Sequence, residues 1–173
     1  MNVQRFTGAV LAAVLLVAGC GSLPPIATDE NYCCHPSIED VRTYRVEFED
    51  TPEFLKPMLR DEASIVLARR GYDYTEGDAD AILLMTFVNK TLEQDAEEQE
   101  AWERIAPGGG VRFIAQVVMT LNNSVSGERI WAGDMQRIHN VYEGSYMHDA
   151  PAREAMREAF VQLFASLPNR SVM

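Results

Sequence analysis

The sequence has few of the residues that metal sites, disulfide frameworks and nucleic-acid surfaces require. Its 173 residues include three cysteines and three histidines, and 15 Lys and Arg stand against 26 Asp and Glu. Nucleic-acid binding depends on neutralising phosphates with basic side chains, so a formal net charge of −11 argues against a nucleic-acid partner. An anionic lipid surface would also be repelled, and we expect neutral or basic partners. A hydrophobic fraction of 47% is that of a folded chain and excludes a wholly disordered product.

Only one apolar run, residues 8–17, is long enough to suggest a targeting segment, and it follows the basic residue Arg5. About twelve apolar residues span only ~18 Å as a helix, short of the ~30 Å hydrocarbon core of a bilayer. The run therefore predicts a cleaved signal peptide, residues 1–19, rather than a permanent transmembrane helix.

The end of this run, Val-Ala-Gly-Cys at residues 17–20, resembles the lipobox of bacterial lipoproteins. The resemblance implies that Cys20 carries a diacylglycerol and that its new amine is acylated, with palmitate-type chains forming a membrane anchor. Gly21 follows, where an Asp would resemble an inner-membrane retention signal, so we expect the outer membrane with the chain facing the periplasm. The alternative is an ordinary signal cleaved near Gly19, with Cys20 a spare thiol.

Residues 20–40 are rich in Pro, Ser, Thr, Asp, Glu and Asn and have few large apolar side chains. Such a composition buries too little surface to order itself, which predicts a lipidated, flexible tether. Extended, it would reach at most ~70 Å. A single periplasmic domain over residues 41–168 and a short tail, 169–173, complete the predicted organisation.

The periodicity of apolar residues in that domain predicts two helices and about four strands. Alternation or continuous burial marks strands at 41–48, 81–88, 112–121 and 128–138, with a further short one at 72–74. Helical spacing marks residues 51–71. Pro57 indicates that the regular helix begins there, and Gly71 suits the left-handed position that follows the last helical turn. It also marks 151–167, with an apolar stripe of Met156, Phe160, Leu163, Phe164 and Leu167. The order predicts an α+β two-layer sandwich, a mixed or antiparallel sheet with both helices on one face.

An acidic insertion at residues 89–110 interrupts the strand pattern. It holds six acidic residues followed by Pro-Gly-Gly-Gly, and we expect an excursion between two strands. Trp102 lies alone among these acids, which suggests either an exposed contact for a partner or a side chain folded back onto the domain.

Short segments in order along the chain resemble a family of bacterial envelope lipoproteins known only as a domain of unknown function. They are residues 40–44 (Asp-Val-Arg-Thr-Tyr), 67–72 (Leu-Ala-Arg-Arg-Gly-Tyr), 78–81 (Asp-Ala-Asp-Ala), 130–133 (Ile-Trp-Ala-Gly) and 167–168 (Leu-Pro). The chain departs from the family at Phe48, where members often carry Trp, and in the length of its acidic insertion. The resemblance implies an envelope location and this fold, and it transfers no catalytic residue.

Cys33, Cys34 and His35 form the most suggestive chemical cluster, because thiols and imidazole are metal ligands. Adjacent cysteines diverge, however, so a metal site completed by His139 or His148 is the less favoured reading. In an oxidising periplasm we expect Cys33 and Cys34 to form a disulfide, either with each other or between two molecules. Inert thiols outside the core are the remaining alternative.

The polar and aromatic loop from His139 to Asp149 offers the other possible site. A hydrolase could use Ser145, His148 and Asp149, although no nucleophile elbow surrounds Ser145 and Asp149 suits a helix cap. We favour ordinary loop histidines, with the exposed rings of Tyr142 and Tyr146 available as partner contacts.

Together these patterns predict a lipid-anchored envelope lipoprotein with a non-enzymatic binding or structural role. Its expected partners are the membrane, through the N-terminal lipid, and an envelope protein or cell-wall component. No catalytic residue, metal ligand or cofactor is assigned. The alternatives are a periplasmic hydrolase at the His139–Asp149 loop and a thiol or metal module at Cys33, Cys34 and His35.

Overall fold

Two helices and six strands make up the described part of the chain, which in this computed structural model comprises residues 26–91, 111–141 and 148–170. In chain order the elements are β1 (Ala27–Cys33), a 3-10 turn (Pro36–Asp40), β2 (Thr43–Glu49), α1 (Lys56–Arg69), β3 (Asp73–Tyr74), β4 (Ala81–Thr91), β5 (Val111–Asn123), β6 (Arg129–Val141), α2 (Asp149–Leu163) and a second 3-10 turn (Phe164–Ser166). The predicted α+β class is confirmed, whereas the predicted count of about four strands is too low.

The sheet is mixed, with the strand order β1-β6-β5-β4-β2-β3. β1, β6, β5 and β4 are antiparallel neighbours, while β4, β2 and β3 run parallel to one another. Parallel strands cannot be joined by a tight turn, and α1 supplies the crossover that follows β2. The hairpin of β5 and β6 is joined through residues 124–128, as the turn-forming residues there predict.

The ends of α1 follow the residues that the sequence marked. Pro57 lies in the first turn, where its missing N–H has no intrahelical partner to lose. Gly71 follows the last turn with φ 83°, a left-handed conformation that favours glycine, and its N–H donates to the Ala68 carbonyl at 3.0 Å. None of the helices in the described ranges is long and apolar enough to span a membrane.

Both helices pack on the same face of the sheet and bury a single hydrophobic core. Alternate residues of the strands point into it, as the period of two requires: Tyr44, Leu83, Met85, Val117, Met119, Leu121, Trp131 and Met135. The helices contribute Leu59, Ala63, Val66, Leu67, Phe160 and Leu163, and the turn after α2 contributes Phe164. The Trp131 ring is fully buried, with its centroid 5.2 Å from that of Phe164.

The predicted tether, residues 20–40, is wrong from residue 27 onward. Residues 27–33 form the edge strand β1, and residues 36–40 form a 3-10 turn whose Ile38 is buried. The residues of β1 do not alternate between apolar and polar. The strand forms through its backbone, which pairs with β6 from Ala27 opposite Gln136 to Cys33 opposite Trp131. Cys33 and Cys34 pack against the core and therefore do not lie in a tether.

Two further boundaries differ from the sequence reading. Residues 89–91 continue β4, so the predicted insertion is shorter than 89–110, and residues 92–110 lie outside the described part of the chain. The predicted tail begins too early, because the Arg170 guanidinium lies 5.5 Å from the centre of the Tyr72 ring and donates to the Ile38 carbonyl. The folded domain therefore includes both Ile38 and Arg170.

Candidate functional site

The face of the sheet opposite the helices is the candidate site, because no described helix packs on it. Its side chains alternate with the core residues along every strand, which identifies them from the pairing register. We call this surface the open face: Ala27, Asp29 and Tyr32 of β1, with Asn31 placed there by its hydrogen bond to Asp134; Arg45, Glu47 and Glu49 of β2; Ile82, Leu84, Thr86, Val88 and Lys90 of β4; Ile114, Gln116, Val118, Thr120 and Asn122 of β5; and Ala132, Asp134, Gln136 and Ile138 of β6.

A chain of hydrogen bonds crosses four strands of the open face. Asn31 Nδ2 donates to one carboxylate oxygen of Asp134 at 3.0 Å, and Gln116 Nε2 donates to the other at 2.9 Å. Lys90 Nζ then donates to Gln116 Oε1 at 3.0 Å. The four side chains belong to β1, β6, β5 and β4, so the chain links the edge strand to the middle of the sheet.

Asp134 is the centre of this network and retains only 8% of its exposure. Burying a carboxylate is costly unless its oxygens accept hydrogen bonds, and here each oxygen accepts one from a side-chain amide. Because both oxygens are engaged, the carboxylate orders the surface around it.

An apolar strip runs along β4, in the middle of the sheet and beside the polar chain. Ile82, Leu84, Val88 and Val118 are all partly exposed and belong to neighbouring strands. Charged and polar contacts border the strip on β2, where the Arg45 guanidinium pairs with Glu47 at 2.9 Å and Thr86 donates to Glu49 at 3.1 Å. An apolar centre with a polar border is the usual anatomy of a protein-binding surface.

The cluster of Cys33, Cys34 and His35 lies at the C-terminal end of β1, beside the β5–β6 turn. The sulfur atoms of Cys33 and Cys34 are bonded to each other within the chain. His35 Nε2 lies 3.1 Å from a Glu128 oxygen, and its Nδ1 lies 2.9 Å from Ser37 Oγ. Within the described ranges no group of three or more His, Cys, Asp or Glu side chains is placed to hold a metal ion.

The predicted loop site is only partly described. His139 lies on β6 with its ring stacked on Phe113, the centroids 5.3 Å apart, and burial followed by the charge of Arg137 lowers the pKa of His139. His148 occupies the N-cap position of α2 and Asp149 is the first helical residue, so the cap predicted at Asp149 lies one residue earlier.

Several residues singled out from the sequence lie outside the described part of the chain. They are the lipidation residue Cys20, the hydrolase candidate Ser145, and the partner-contact candidates Trp102, Tyr142 and Tyr146. Their assignments stay predictions.

Sequence reasoning missed the two most buried acidic residues, Glu62 and Asp134. Glu62 lies on α1 one turn before Val66, on the apolar side of the helix, and Asp134 interrupts the apolar run of β6. The available signals were an acid at a core spacing for Glu62 and an acid within an apolar run for Asp134. Such an acid indicates a partner on another element, because an unpaired charge would not remain at such a position.

Comparisons with known proteins bear on the fold. No family model matches the chain, and no curated protein matches it. Among solved structures it is similar to the PelC dodecamer from Paraburkholderia phytofirmans, with a TM-score of 0.51 and 9% identity, covering 84% of this chain and 99% of that one. This likeness shows a shared fold.

Lipoproteins of other bacteria are also among the similar solved structures. A minor lipoprotein from Acinetobacter baumannii has a TM-score of 0.43 and 9% identity, covering 73% of this chain and 90% of that one. A lipoprotein from Neisseria meningitidis has a TM-score of 0.42 and 14% identity, covering 71% and 97%.

Proposed function

We propose that this protein is a lipid-anchored lipoprotein of the bacterial outer membrane, facing the periplasm, with no enzymatic activity of its own. Its open face binds a neutral or basic envelope protein, or a cell-wall component of that character. The anchor is the acylated Cys20, which follows the cleaved signal at residues 1–19.

The anchor is supported by the layout of the N-terminal sequence. A basic start, one apolar run too short to span a bilayer, and Val-Ala-Gly-Cys at residues 17–20 occur in the order that lipoprotein processing requires. Several acyl chains on one residue give stable attachment, which a single chain does not.

The binding role rests on one observation, the apolar strip of the open face with its polar border. Sheets with one face packed on helices normally carry polar residues on the other, whereas here Ile82 and Leu84 follow each other on the open side of β4 and Val118 of β5 lies diagonal to Leu84. Apolar surface of this kind marks a site that another molecule covers. The net charge of −11 favours a partner without excess negative charge.

The non-enzymatic role is supported by how the ionisable side chains are used. Both oxygens of Asp134 accept hydrogen bonds from amides, Glu62 is paired with two arginines, and His35 is paired with Glu128. A general acid or base must instead direct its proton or lone pair at a substrate. His139, the first residue of the alternative hydrolase loop, stacks on Phe113.

Cross-linking in living cells tests the binding role. A photoreactive amino acid at Thr120, on the open face, should give a discrete adduct, and the same group at Ile65, exposed on α1, should not. Adding Leu84→Arg to the Thr120 variant should remove the adduct, because a charge would be placed in the apolar strip. The same adducts from both positions would contradict a site on the open face.

The anchor is tested separately by Cys20→Ser. We expect an unprocessed precursor without acyl chains, since the modification needs the sulfur. Intact mass measurement and membrane fractionation check this. A Ser variant that is still cleaved and still fractionates with the outer membrane would contradict lipidation at Cys20.

A further inference from the structure

The long edge of the sheet is formed by β1. On its inner side β1 pairs with β6, from Ala27 opposite Gln136 to Cys33 opposite Trp131. On its outer side no strand follows in the described part of the chain. In an antiparallel pair, about half of the N–H and C=O groups of the edge strand point away from its neighbour. This row of backbone groups can take up a further strand.

The other edge of the sheet offers much less. β3 has only two residues, Asp73 and Tyr74, which pair with Thr43 and Tyr44 of β2. Very short edge strands are one of the ways in which sheets avoid pairing with other chains. β1 has seven residues, so it is the edge at which an extended segment would gain several backbone hydrogen bonds.

β1 is fixed on both faces before any partner arrives. On the open face, Asn31 Nδ2 donates to Asp134 at 3.0 Å. On the helix side, Thr28 Oγ1 donates to Gln162 Oε1 of α2 at 3.4 Å. A strand that is already ordered does not have to be immobilised on binding, and this removes one of the costs of association.

The charges on β1 and on the helix turns beside it have one sign. Asp29 is paired with Asp134 and so lies on the open face, while Glu30 lies on the helix side, and both are exposed. Glu158, also exposed, lies one turn before Gln162, the residue of α2 that contacts β1. β1 and the part of α2 from Glu158 onward contain no Lys or Arg.

These acids are also not neutralised from elsewhere in the fold. Within the described ranges, Asp29, Glu30 and Glu158 form no ion pair, whereas Glu62 and Glu128 each have a basic partner. An added strand would therefore meet uncompensated negative charge on both of its faces.

Charged side chains on an edge strand normally prevent association of one edge with another. Two β1 strands from two copies of this chain would bring Asp29 and Glu30 of one copy against those of the other, which disfavours self-pairing. A segment that carries Lys or Arg meets the opposite situation, because its cations approach these acids. The edge therefore discriminates in favour of a basic segment.

We propose that the outer edge of β1 binds an extended, basic segment of a partner protein and adds it to the six-stranded sheet as a further strand. Side chains of a strand alternate between its two faces, so adjacent basic residues would approach Asp29 on one face and Glu30 on the other. Backbone hydrogen bonds supply the affinity, and the acids supply the selectivity. This site lies at the sheet edge and is separate from the apolar strip of the open face.

Binding of three synthetic peptides to the full-length protein in nonionic detergent tests the proposal. The first, acetyl-Ser-Val-Thr-Lys-Arg-Thr-Val-Ser-amide, places adjacent basic residues among residues that favour strands. The second has the same side chains but carries backbone N-methyl groups on its four central residues, which removes hydrogen-bond donors from both of its edges and keeps its charge. The third has Glu-Asp in place of Lys-Arg. Fluorescence anisotropy of the labelled peptides measures each dissociation constant.

The first peptide should bind at least about tenfold more tightly than its N-methylated form, because strand addition depends on backbone hydrogen bonds. The acidic peptide should show no saturable binding. The double variant D29N/E30Q should bind the first peptide about three- to tenfold more weakly. The matched control E76Q/D78N neutralises two exposed acids that follow β3 at the opposite edge, and it should change the affinity less than about twofold.

Hydrogen exchange of the complex locates the bound peptide. Amides of β1 should exchange more slowly in the complex, and those of β3 should not change. Equal affinities of the first peptide and its N-methylated form would overturn strand addition, since only the charge would then matter. No saturable binding of the first peptide, or protection of β4 and β5 in place of β1, would overturn the edge site and leave the open-face function to its own cross-linking test.

Discussion

Glu62 on α1 accepts a hydrogen bond from Arg157 Nε on α2 at 2.7 Å, and this ion pair joins the two helices. Arg153 Nη1 reaches the other carboxylate oxygen at 3.2 Å, and this hydrogen bond raises the pKa of Arg153. The partners are unequally buried, since Glu62 is 1% exposed and the Arg157 side chain 40%. The carboxylate therefore depends on the arginines far more than they depend on it.

This asymmetry predicts unequal costs of removing the two partners. Arg157→Ala should lower the free energy of unfolding by about 2 kcal/mol, below the range for a fully buried pair because Arg153 and water remain. Glu62→Met should cost less than about 1 kcal/mol, since the arginines can turn to solvent and the methionine fills the space. Urea melts of a soluble form lacking residues 1–20 check this. A larger cost for Glu62→Met would contradict it.

The second prediction concerns Phe160, at the centre of the buried side of α2. It is fully buried and stacks on Phe164 with the ring centroids 5.4 Å apart. Phe160→Ala should cost about 3 to 5 kcal/mol, through lost transfer energy and the cavity that remains. Val161→Ala is the matched control, one residue along and 48% exposed, and should cost less than about 0.5 kcal/mol. Equal urea midpoints would show that α2 does not dock by this side.

The sequence predicted the core well where the signal is local. The stripe over α2 and the turn after it is a period of 3.6 within one segment, and four of its five predicted residues, all but Met156, are buried. The stripe does not reveal the roles of Arg153 and Arg157. They flank the stripe and meet Glu62, whose position depends on how two distant helices pack.

The features that the sequence did not predict, β1 and the open-face network, both depend on pairing between strands. β1 exists because the edge of β6 offers backbone partners to residues 27–33, which no alternation within those residues reveals. The open-face network likewise joins Asn31 to Asp134 and Gln116, which belong to three different strands. The sequence of one strand does not determine its register with the next. Local periodicity predicts faces, whereas pairing partners require the assembled sheet.

The third prediction concerns Gly133, where β6 passes close to β1 and α2. A Cβ at this position would lie 2.9 Å from the Asp29 carbonyl oxygen, 2.9 Å from Leu163 Cδ1 and 3.0 Å from the Trp131 ring. The carbonyl belongs to the paired backbone of β1 and cannot move freely. Gly133→Ala should therefore cost about 1 to 3 kcal/mol by overpacking.

Gly77→Ala is the control for this substitution, because its nearest contact would be Thr75 Oγ1 at 3.8 Å. We expect it to change the free energy of unfolding by less than about 0.5 kcal/mol. Thermal melts of both variants compare the two sites. A neutral Gly133→Ala would mean that β1 shifts to admit the methyl group and is less tightly held than its pairing indicates.

The last prediction concerns Asp80, which fastens the start of β2 to the start of β4. Its Oδ2 accepts hydrogen bonds from the Arg42 N–H at 2.9 Å, the Thr43 N–H at 2.8 Å and Thr43 Oγ1 at 2.9 Å. The two backbone hydrogen bonds, Thr43 first, lower the pKa of Asp80. The folded protein therefore binds this proton less readily than the unfolded chain. The resulting stability is complete above the ordinary carboxyl pKa and is lost as the pH falls through the folded value.

Asp80→Asn should remove this contribution and its pH dependence together. Near neutral pH we expect a loss of about 1 kcal/mol, reduced because the carboxylate is solvent-exposed. As the pH falls through the ordinary carboxyl pKa and then through the lower folded value, the wild-type and variant unfolding free energies should converge, since only the wild type has a charge at this position to lose. Urea melts across that range measure the difference. Asp78→Asn, an exposed carboxylate two residues earlier that makes none of these contacts, is the control, and near neutral pH it should change the free energy of unfolding by less than about 0.5 kcal/mol. A constant gap for Asp80→Asn would mean that its hydrogen bonds stabilise the fold without any help from charge.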